Sequence, residues 1–145
     1  RLAPGPVVVA DWRSDWIGLG VATQLALAGH PTTHAVFGYH PGQRIQQYVR
    51  DSMIAAASRA GVATVPLVRP YGVDDDTVWL QHVLTDEPVP IPAAALVLAT
   101  GHEPVDDLFD QLNDGVRAVH RIGDCLAPRT VEEAVLEGLR LGSPL

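Results

Sequence analysis

A glycine-aspartate turn followed by a helix start occupies residues 116–138, VRAVHRIGDCLAPRTVEEAVLEG. In α/β proteins such a turn contacts nucleotides, because the glycine lets the backbone approach the ligand and the carboxylate accepts hydrogen bonds from a sugar. Gly123 and Asp124 are the residues that would do so here. The apolar residues before them predict a buried strand over residues 116–122.

A helix is predicted directly after this turn. Thr130 and Glu133 have the spacing of a capping box, and an apolar run follows them. The start of a helix after Pro128 would present free N–H groups and a partial positive charge. This helix would therefore support the predicted nucleotide contact.

The first strand-to-helix connection departs from the usual dinucleotide fingerprint. In G-x-G-x-x-G the first glycine directly follows the strand, whereas Gly18 and Gly20 come late and Thr23 stands in the third position. We expect both glycines to lie inside the first helix, where they allow close packing of helix and strand. A shifted phosphate site formed by Gly18, Gly20 and Arg13 is the alternative.

The intervening loop, DWRSDW, places carboxylates where a phosphate would otherwise lie. Asp15 has the residue type and position of an N-cap, so it can accept the hydrogen bonds that a phosphate would take. Asp11 adds a second negative charge, and Arg13 can offset one of the two. We therefore predict a degenerate phosphate site that binds NAD(P)H poorly.

The end of the second predicted strand carries no acidic residue for a ribose diol. The chain reads FGYH at residues 37–40, and Arg44 follows. This arginine could meet a 2′-phosphate. We favour the simpler interpretation, in which it begins the solvated face of the next helix.

Periodicity predicts alternating strands and helices. Strands are predicted over 6–11, 33–37, 62–68 and 94–100, helices over 17–28, 44–60 and 104–113, and an antiparallel excursion over 78–84 and 89–91. This order is typical of an α/β fold, a Rossmann-like doubly wound parallel sheet with an inserted β-hairpin. Trp12, Trp16 and Trp79 are expected in the core or a domain interface, with stacking on adenine as the alternative.

Composition limits the class of partner and chemistry. The 145 residues are 47% hydrophobic, which suits one domain, and the net charge of −7 argues against nucleic acid and anionic membranes. All ten basic residues are arginine, which excludes lysine Schiff bases and a P-loop lysine. One cysteine, Cys125, and histidines without a ligand pattern predict neither a disulfide nor a metal site. A cytoplasmic location is expected.

Four segments together resemble a known family. They are VVVADWRSDWIGLGVATQLALAGH, PGQRIQQYVRD, VLATGHEP and IGDCLAPRTVEEAVLEGLR, in this order. They resemble the C-terminal dinucleotide-binding region of the trimethylamine dehydrogenase and 2,4-dienoyl-CoA reductase group, which are Old Yellow Enzyme-related flavoproteins. Within that group the chain looks most similar to N-methylproline demethylase-like and dimethylamine or trimethylamine dehydrogenase-like members.

The resemblance implies that the chain is one part of a longer flavoprotein. Residues 1–93 would be the NAD(P)-type half and residues 94–145 the return segment of the FAD-type half. FMN and an iron–sulfur cluster are implied only for domains outside this sequence. In the intact parent, Gly101, Gly123 and Asp124 would contact FAD or an ADP-type nucleotide. The expected partners are the barrel and FAD-type domains of the parent, with a homo-oligomer also open.

Two functional hypotheses follow, and a third is weaker. The first is a nucleotide-binding domain of an FMN-dependent oxidoreductase acting on amines, by oxidative N-demethylation or a related hydride transfer, and inactive alone. The second is a non-catalytic adenine-nucleotide-binding or structural interface module. An independent NAD(P)-dependent reductase is disfavoured, because the sequence shows no catalytic acid.

Overall fold

The structure divides the chain into two compact units, Arg1–Gly101 and His102–Leu145. It is a computed structural model that describes residues 2–116 and 118–143. No helix within these described ranges is long and apolar enough to cross a bilayer.

The first unit is built on a four-stranded parallel sheet. Its order is β3-β2-β1-β7, with β1 at Val7–Asp11, β2 at Thr32–Val36, β3 at Ala63–Pro66 and β7 at Ala95–Ala99. Helix α1, Trp16–Leu27, connects β1 to β2, and α2, Gln47–Arg59, connects β2 to β3. Parallel neighbours joined through helices confirm the predicted Rossmann-like α/β class.

A second, antiparallel sheet forms the connection from β3 to β7. It consists of β4 at Val68–Val73, β5 at Thr77–His82 and β6 at Pro88–Pro92. Its inner residues Val78 and Leu80 pack with Val8 and Ala35 of the parallel sheet in one buried cluster. The predicted hairpin is therefore present, extended by a third strand, and it covers one face of the parallel sheet.

The predicted strand over residues 62–68 is wrong in its extent. The chain breaks at Leu67, whose φ of +57° is left-handed and incompatible with a continuing strand. Residues Ala63–Pro66 pair with β2, and Val68 begins the antiparallel sheet instead. One apolar run thus serves two sheets.

Successive side chains of β1 point to opposite faces of the sheet, so only every second one faces the helices. Val8 joins the cluster beneath the antiparallel sheet, whereas Asp11 contacts Gly18 of α1 on the opposite face. All five residues of β1 are buried, as expected for a central parallel strand. A carboxylate at the end of this strand is therefore enclosed between sheet and helix.

The second unit contains two helices and a turn. Helix α3 covers Asp107–Leu112, a 3₁₀ turn covers Gly123–Cys125, and α4 covers Val131–Gly142. The strand predicted over residues 116–122 is wrong for its described part, residue 116 and residues 118–122, which form no strand. Arg117 lies outside the described residues. A strand needs a neighbour to satisfy its backbone, and Val116 is 85% exposed.

Replacing Leu80 by alanine tests the core between the two sheets. Leu80 is fully buried, so Leu80→Ala should lower the free energy of unfolding of the first unit by about 2–5 kcal/mol. All three tryptophans lie in this unit, so urea unfolding followed by their fluorescence reports it. Leu27→Ala is the control, because Leu27 is 73% exposed and should cost less than about 0.5 kcal/mol. An equal loss of unfolding free energy in Leu80→Ala and Leu27→Ala would contradict the placement of Leu80 in the core.

Candidate functional site

The carboxylate of Asp11 is buried at the point where β1 ends. Its Oδ1 accepts a hydrogen bond from the backbone N–H of Ser14 at 2.8 Å, and its Oδ2 lies 3.1 Å from Nε2 of His34. Both side chains of the Asp11–His34 pair are fully withdrawn from solvent. Asp11 therefore ties the end of β1 to the following loop and to β2.

Gly18 is the residue that makes room for this carboxylate. A Cβ at position 18 would lie 2.4 Å from Cγ of Asp11, so only glycine fits here without displacement. The predicted close packing of helix and strand is confirmed at Gly18. It is wrong at Gly20, where nothing lies within 4 Å of an added Cβ. Gly18 thus makes room for a carboxylate of the protein itself. In the usual fingerprint the glycines make room for the pyrophosphate of the ligand.

Asp15 caps α1, as predicted. Its Oδ1 accepts from the N–H of Ile17 at 2.9 Å, and its Oδ2 accepts from Nε of Arg13 at 2.7 Å. The guanidinium of Arg13 offsets the charge of Asp15, as predicted for one of the two carboxylates. Carboxylates thus occupy the N–H groups of Ser14 and Ile17, at the helix start where a phosphate would bind.

A cleft of about 510 Å³ opens beside this loop at the carboxyl edge of the parallel sheet. Its walls are residues 12–14 of the β1–α1 loop, residues of the β2–α2 loop, and the apolar side chains of Leu67, Val83 and Leu84. Ligands of open α/β sheets bind at this edge.

Trp12 and Phe37 form an aromatic stack on the wall of the cleft. Their ring centroids are 5.1 Å apart and the planes are nearly parallel. Trp12 is 49% exposed and Trp16 64% exposed, so neither lies in the core of the described chain, and their place in a domain interface stays a prediction. Trp79 is half-buried and donates its indole N–H to Asp74.

Arg44 also lines the cleft, which corrects its predicted place on a helix. Helix α2 begins only at Gln47, because residues 41–44 form a turn. The backbone N–H of Arg44 donates to the carbonyl of Ser14 at 3.0 Å, so this turn is fixed to the β1–α1 loop. Its side chain forms no hydrogen bond or ion pair with any described residue.

The Gly123 turn of the second unit is also satisfied by a carboxylate. Gly123 has a φ of +63°, which favours glycine, and its N–H donates to Oε2 of Glu137 at 2.7 Å. Arg129 binds the other oxygen of Glu137. Asp124 is exposed. The donor that a nucleotide phosphate would use is therefore already paired within the chain.

Hydrogen bonds shift the acidity of two glutamates on α4. The hydroxyl and N–H of Thr130 donate to Glu133, so the predicted capping contact is confirmed, and the hydroxyl is the main cause that lowers the pKa of Glu133. The N–H of Gly123 is the main cause that lowers the pKa of Glu137. Both contacts favour the charged carboxylates.

The predicted site residues fall into separate groups. Arg13, Gly18 and Gly20 lie in the β1–α1 loop and α1, and Gly101 follows β7 at the same edge of the sheet as the end of β1. Gly123 and Asp124 belong to the second unit.

Sequence reasoning missed several residues that the geometry brings forward. The Trp12–Phe37 stack had a readable signal, because each residue directly follows one of two strands that end in register. The Asp11–His34 pair had the same kind of signal, because the parallel register places the two residues on neighbouring strands and on the same face. The contact of Glu137 with Gly123 had none, since it depends on how the helix after the turn packs on it.

Gly18 and Gly20 allow a matched test of the buried carboxylate. Gly18→Ala should lower the free energy of unfolding by about 1–3 kcal/mol, because the new methyl group meets Asp11. Gly20→Ala should raise it by up to about 1 kcal/mol through helix propensity. Urea unfolding of both variants measures the difference. A stabilising Gly18→Ala would disprove the proposed packing of Asp11 against α1.

The pH dependence of the Gly123 amide tests its contact with Glu137. A carboxyl with a lowered pKa stabilises the fold above its ordinary pKa, near 4.3, and that stability is lost as the pH falls through the lower native value. The ¹H–¹⁵N resonance of Gly123 should therefore titrate with a midpoint below the ordinary glutamate value. Glu137→Gln should abolish the titration and Glu132→Gln should leave it. A midpoint at or above the ordinary value would contradict the contact.

Comparison with known proteins gives matches among solved structures. No family model matches the chain, and no curated protein does. The 6-hydroxypseudooxynicotine amine oxidase from Pseudomonas geniculata N1 is 28% identical over 98% of the chain, with a TM-score of 0.86. Histamine dehydrogenase from Rhizobium sp. 4-9 is 21% identical over 99% of the chain, with a TM-score of 0.83. A 2-naphthoyl-CoA reductase bound to 2-naphthoyl-CoA is 22% identical over the whole chain, with a TM-score of 0.81.

The chain spans only 22–24% of the length of these three proteins. All three are flavoproteins of the trimethylamine dehydrogenase and Old Yellow Enzyme type. Over nearly its whole length the chain therefore resembles one domain of the trimethylamine dehydrogenase-type, Old Yellow Enzyme-related flavoproteins, and the resemblance predicted from its motifs is confirmed.

Proposed function

We propose that this chain is a Rossmann-type domain of an FMN-dependent oxidoreductase that acts on amines. The reaction would be oxidative N-demethylation or a related hydride transfer at an FMN held elsewhere in the parent, and the domain alone would not catalyse it. Two of the three structural neighbours are named as an amine oxidase and a histamine dehydrogenase, which supports an amine substrate. A cytoplasmic location fits this proposal.

One observation carries the role of the domain itself. Asp11 and Asp15 accept the N–H groups at the start of α1, and the side chain of Asp11 fills the space over Gly18. A pyrophosphate would have to displace both carboxylates and would meet their negative charge. The residues present therefore do not fit NAD(P)H, and we propose that electrons enter and leave the parent without a nicotinamide nucleotide in this domain.

The second turn fits a flavin or ADP-type nucleotide only in part. The positive φ of Gly123 suits close approach of a ligand, and the exposed Asp124 is free to accept from a hydroxyl. The N–H of Gly123 must first leave Glu137. Gly101, Gly123 and Asp124 remain proposed contacts of an adenine nucleotide in the intact parent.

A structural interface role is the second candidate. Along α4 the apolar side chains of Val131, Val135 and Leu139 are 74%, 64% and 62% exposed. An exposed apolar face of this kind is typical of a surface that packs on another domain. The barrel and FAD-type domains of the parent, or a second copy of the chain, are the proposed partners.

Calorimetric titration with NADH, NADPH, ADP and FAD in turn tests the proposed function. We expect no micromolar binding of NADH or NADPH to the 145-residue chain, because its own carboxylates occupy the donors. Binding of ADP alone, or of none of the four, supports a structural or adenine-nucleotide module. Saturable micromolar binding of NADH or NADPH would contradict the proposal that Asp11 and Asp15 block a phosphate at the start of α1. It would favour a direct reductase role instead.

A further inference from the structure

The two aspartates of the loop before α1 hold it in different ways. The side chains of Asp11 and His34 are fully enclosed, and the Asp11 carboxylate fills the space over Gly18. The side chain of Asp15 is 15% exposed, and that of Arg13, which it binds, is 27% exposed. Asp11 is therefore part of the packing of the sheet on α1, whereas Asp15 lies at the surface of the loop.

The carboxylate of Asp15 makes the contacts that a bound oxyanion would make. Its Oδ1 accepts from the backbone N–H of Ile17 in the first turn of α1 at 2.9 Å, and its Oδ2 accepts from Nε of Arg13 at 2.7 Å. A helix N-terminus and an arginine are donors that typically hold a phosphate group. Asp15 thus occupies two such donors at once.

The residues beside Asp15 keep hydrogen-bonding groups that the described chain does not use. Ser14 is only 5% exposed, and its hydroxyl has no hydrogen-bond partner in the described residues. Buried hydroxyls are almost always paired, so this one indicates a partner from outside the chain. The Nη atoms of Arg13 form no hydrogen bond with a described residue either. Both residues line the cleft, so a phosphate group entering from it would meet them.

A single phosphate group and a pyrophosphate compete with different carboxylates. Oδ1 of Asp11 holds the N–H of Ser14, and Asp11 forms no described hydrogen bond with Ile17 or Arg13. A pyrophosphate extends along the loop and competes with both aspartates. A single phosphate group at Ile17 and Arg13 competes with Asp15 alone.

We infer that Asp15 is the residue that determines whether this loop accepts a phosphate group. Its carboxylate excludes the anion by charge and by occupying the donors, and it closes a site formed by Arg13, Ser14 and the start of α1. This inference rests on the proposed function, in which the domain works without a nicotinamide nucleotide. It assigns the exclusion of a single phosphate group to one side chain, and it gives Asp11 a structural role.

Titration of Asp15→Asn with inorganic phosphate at constant ionic strength tests the inference, with the ¹H–¹⁵N resonance of Ile17 as the readout. Asparagine keeps an oxygen that can cap α1, removes the negative charge and frees Nε of Arg13. Phosphate should bind this variant at least about tenfold more tightly than the unsubstituted chain, because a like charge at the site is lost. Asp15→Ser, a second neutral cap, should show the same gain. Arg13→Gln added to Asp15→Asn should remove it.

Asp75→Asn is the charge-matched control. Asp75 is exposed in the turn after β4, at the opposite end of this strand from Leu67 and the cleft, so phosphate binding should not change. Equal binding by the unsubstituted chain and both Asp15 variants, an equal gain in Asp75→Asn, or a gain that survives Arg13→Gln would overturn the inference. Each of these results leaves the proposed function standing, which fails only if the unsubstituted chain binds NADH or NADPH with micromolar affinity.

Discussion

The buried carboxylate of Asp11 is the constraint on which the rest of the first unit depends. It sits where β1 ends, accepts the N–H of Ser14, lies against Nε2 of His34 on β2, and occupies the space that Gly18 leaves in α1. A buried carboxylate must be paired or hydrogen-bonded. Moving β1, β2 and α1 apart would break the contacts of Asp11 and would therefore cost much of the folding free energy of this unit. The loop between strand and helix is consequently a structural joint, and a phosphate is not needed to order it.

The same physical solution recurs in the second unit. Gly123 turns the chain at a positive φ and its N–H needs an acceptor, which Glu137 provides from the following helix while Arg129 balances its charge. In nucleotide-binding proteins the donors at such turns are satisfied by ligand oxygens. Here the chain satisfies them with its own side chains. At both turns, backbone N–H groups that could donate to a ligand instead donate to carboxylates of the chain itself.

The sequence predicted the fold class, the two crossover helices and the Asp15 cap, because apolar periodicity and capping residues are local signals. The prediction was wrong where one apolar run is divided between two structural neighbours, or where a predicted strand has no neighbour. The apolar run around Leu67 belongs to two sheets, and the apolar residues before Gly123 form no strand because no described strand pairs with them. The roles of His34, Phe37 and Glu137 depend on packing between distant segments. The contact of Phe37 with Trp12 was nevertheless predictable, because each residue directly follows one of two strands that end in register.

This chain orders the connection from β1 to α1 without a phosphate, because Asp11 and Asp15 supply the acceptors that a phosphate would supply. The core cluster of Val8, Ala35, Val78 and Leu80 lies on the face of the sheet opposite to Asp11 and Gly18. A phosphate at the start of α1 would need free N–H groups, and those of Ser14 and Ile17 already donate to Asp11 and Asp15. The cleft lies beside this loop, and its lining side chains Trp12, Tyr39 and Arg44 are exposed and belong to neither the core nor the cap. The side chains at this edge can therefore differ while the scaffold stays constant, so the fold alone does not determine what the edge binds.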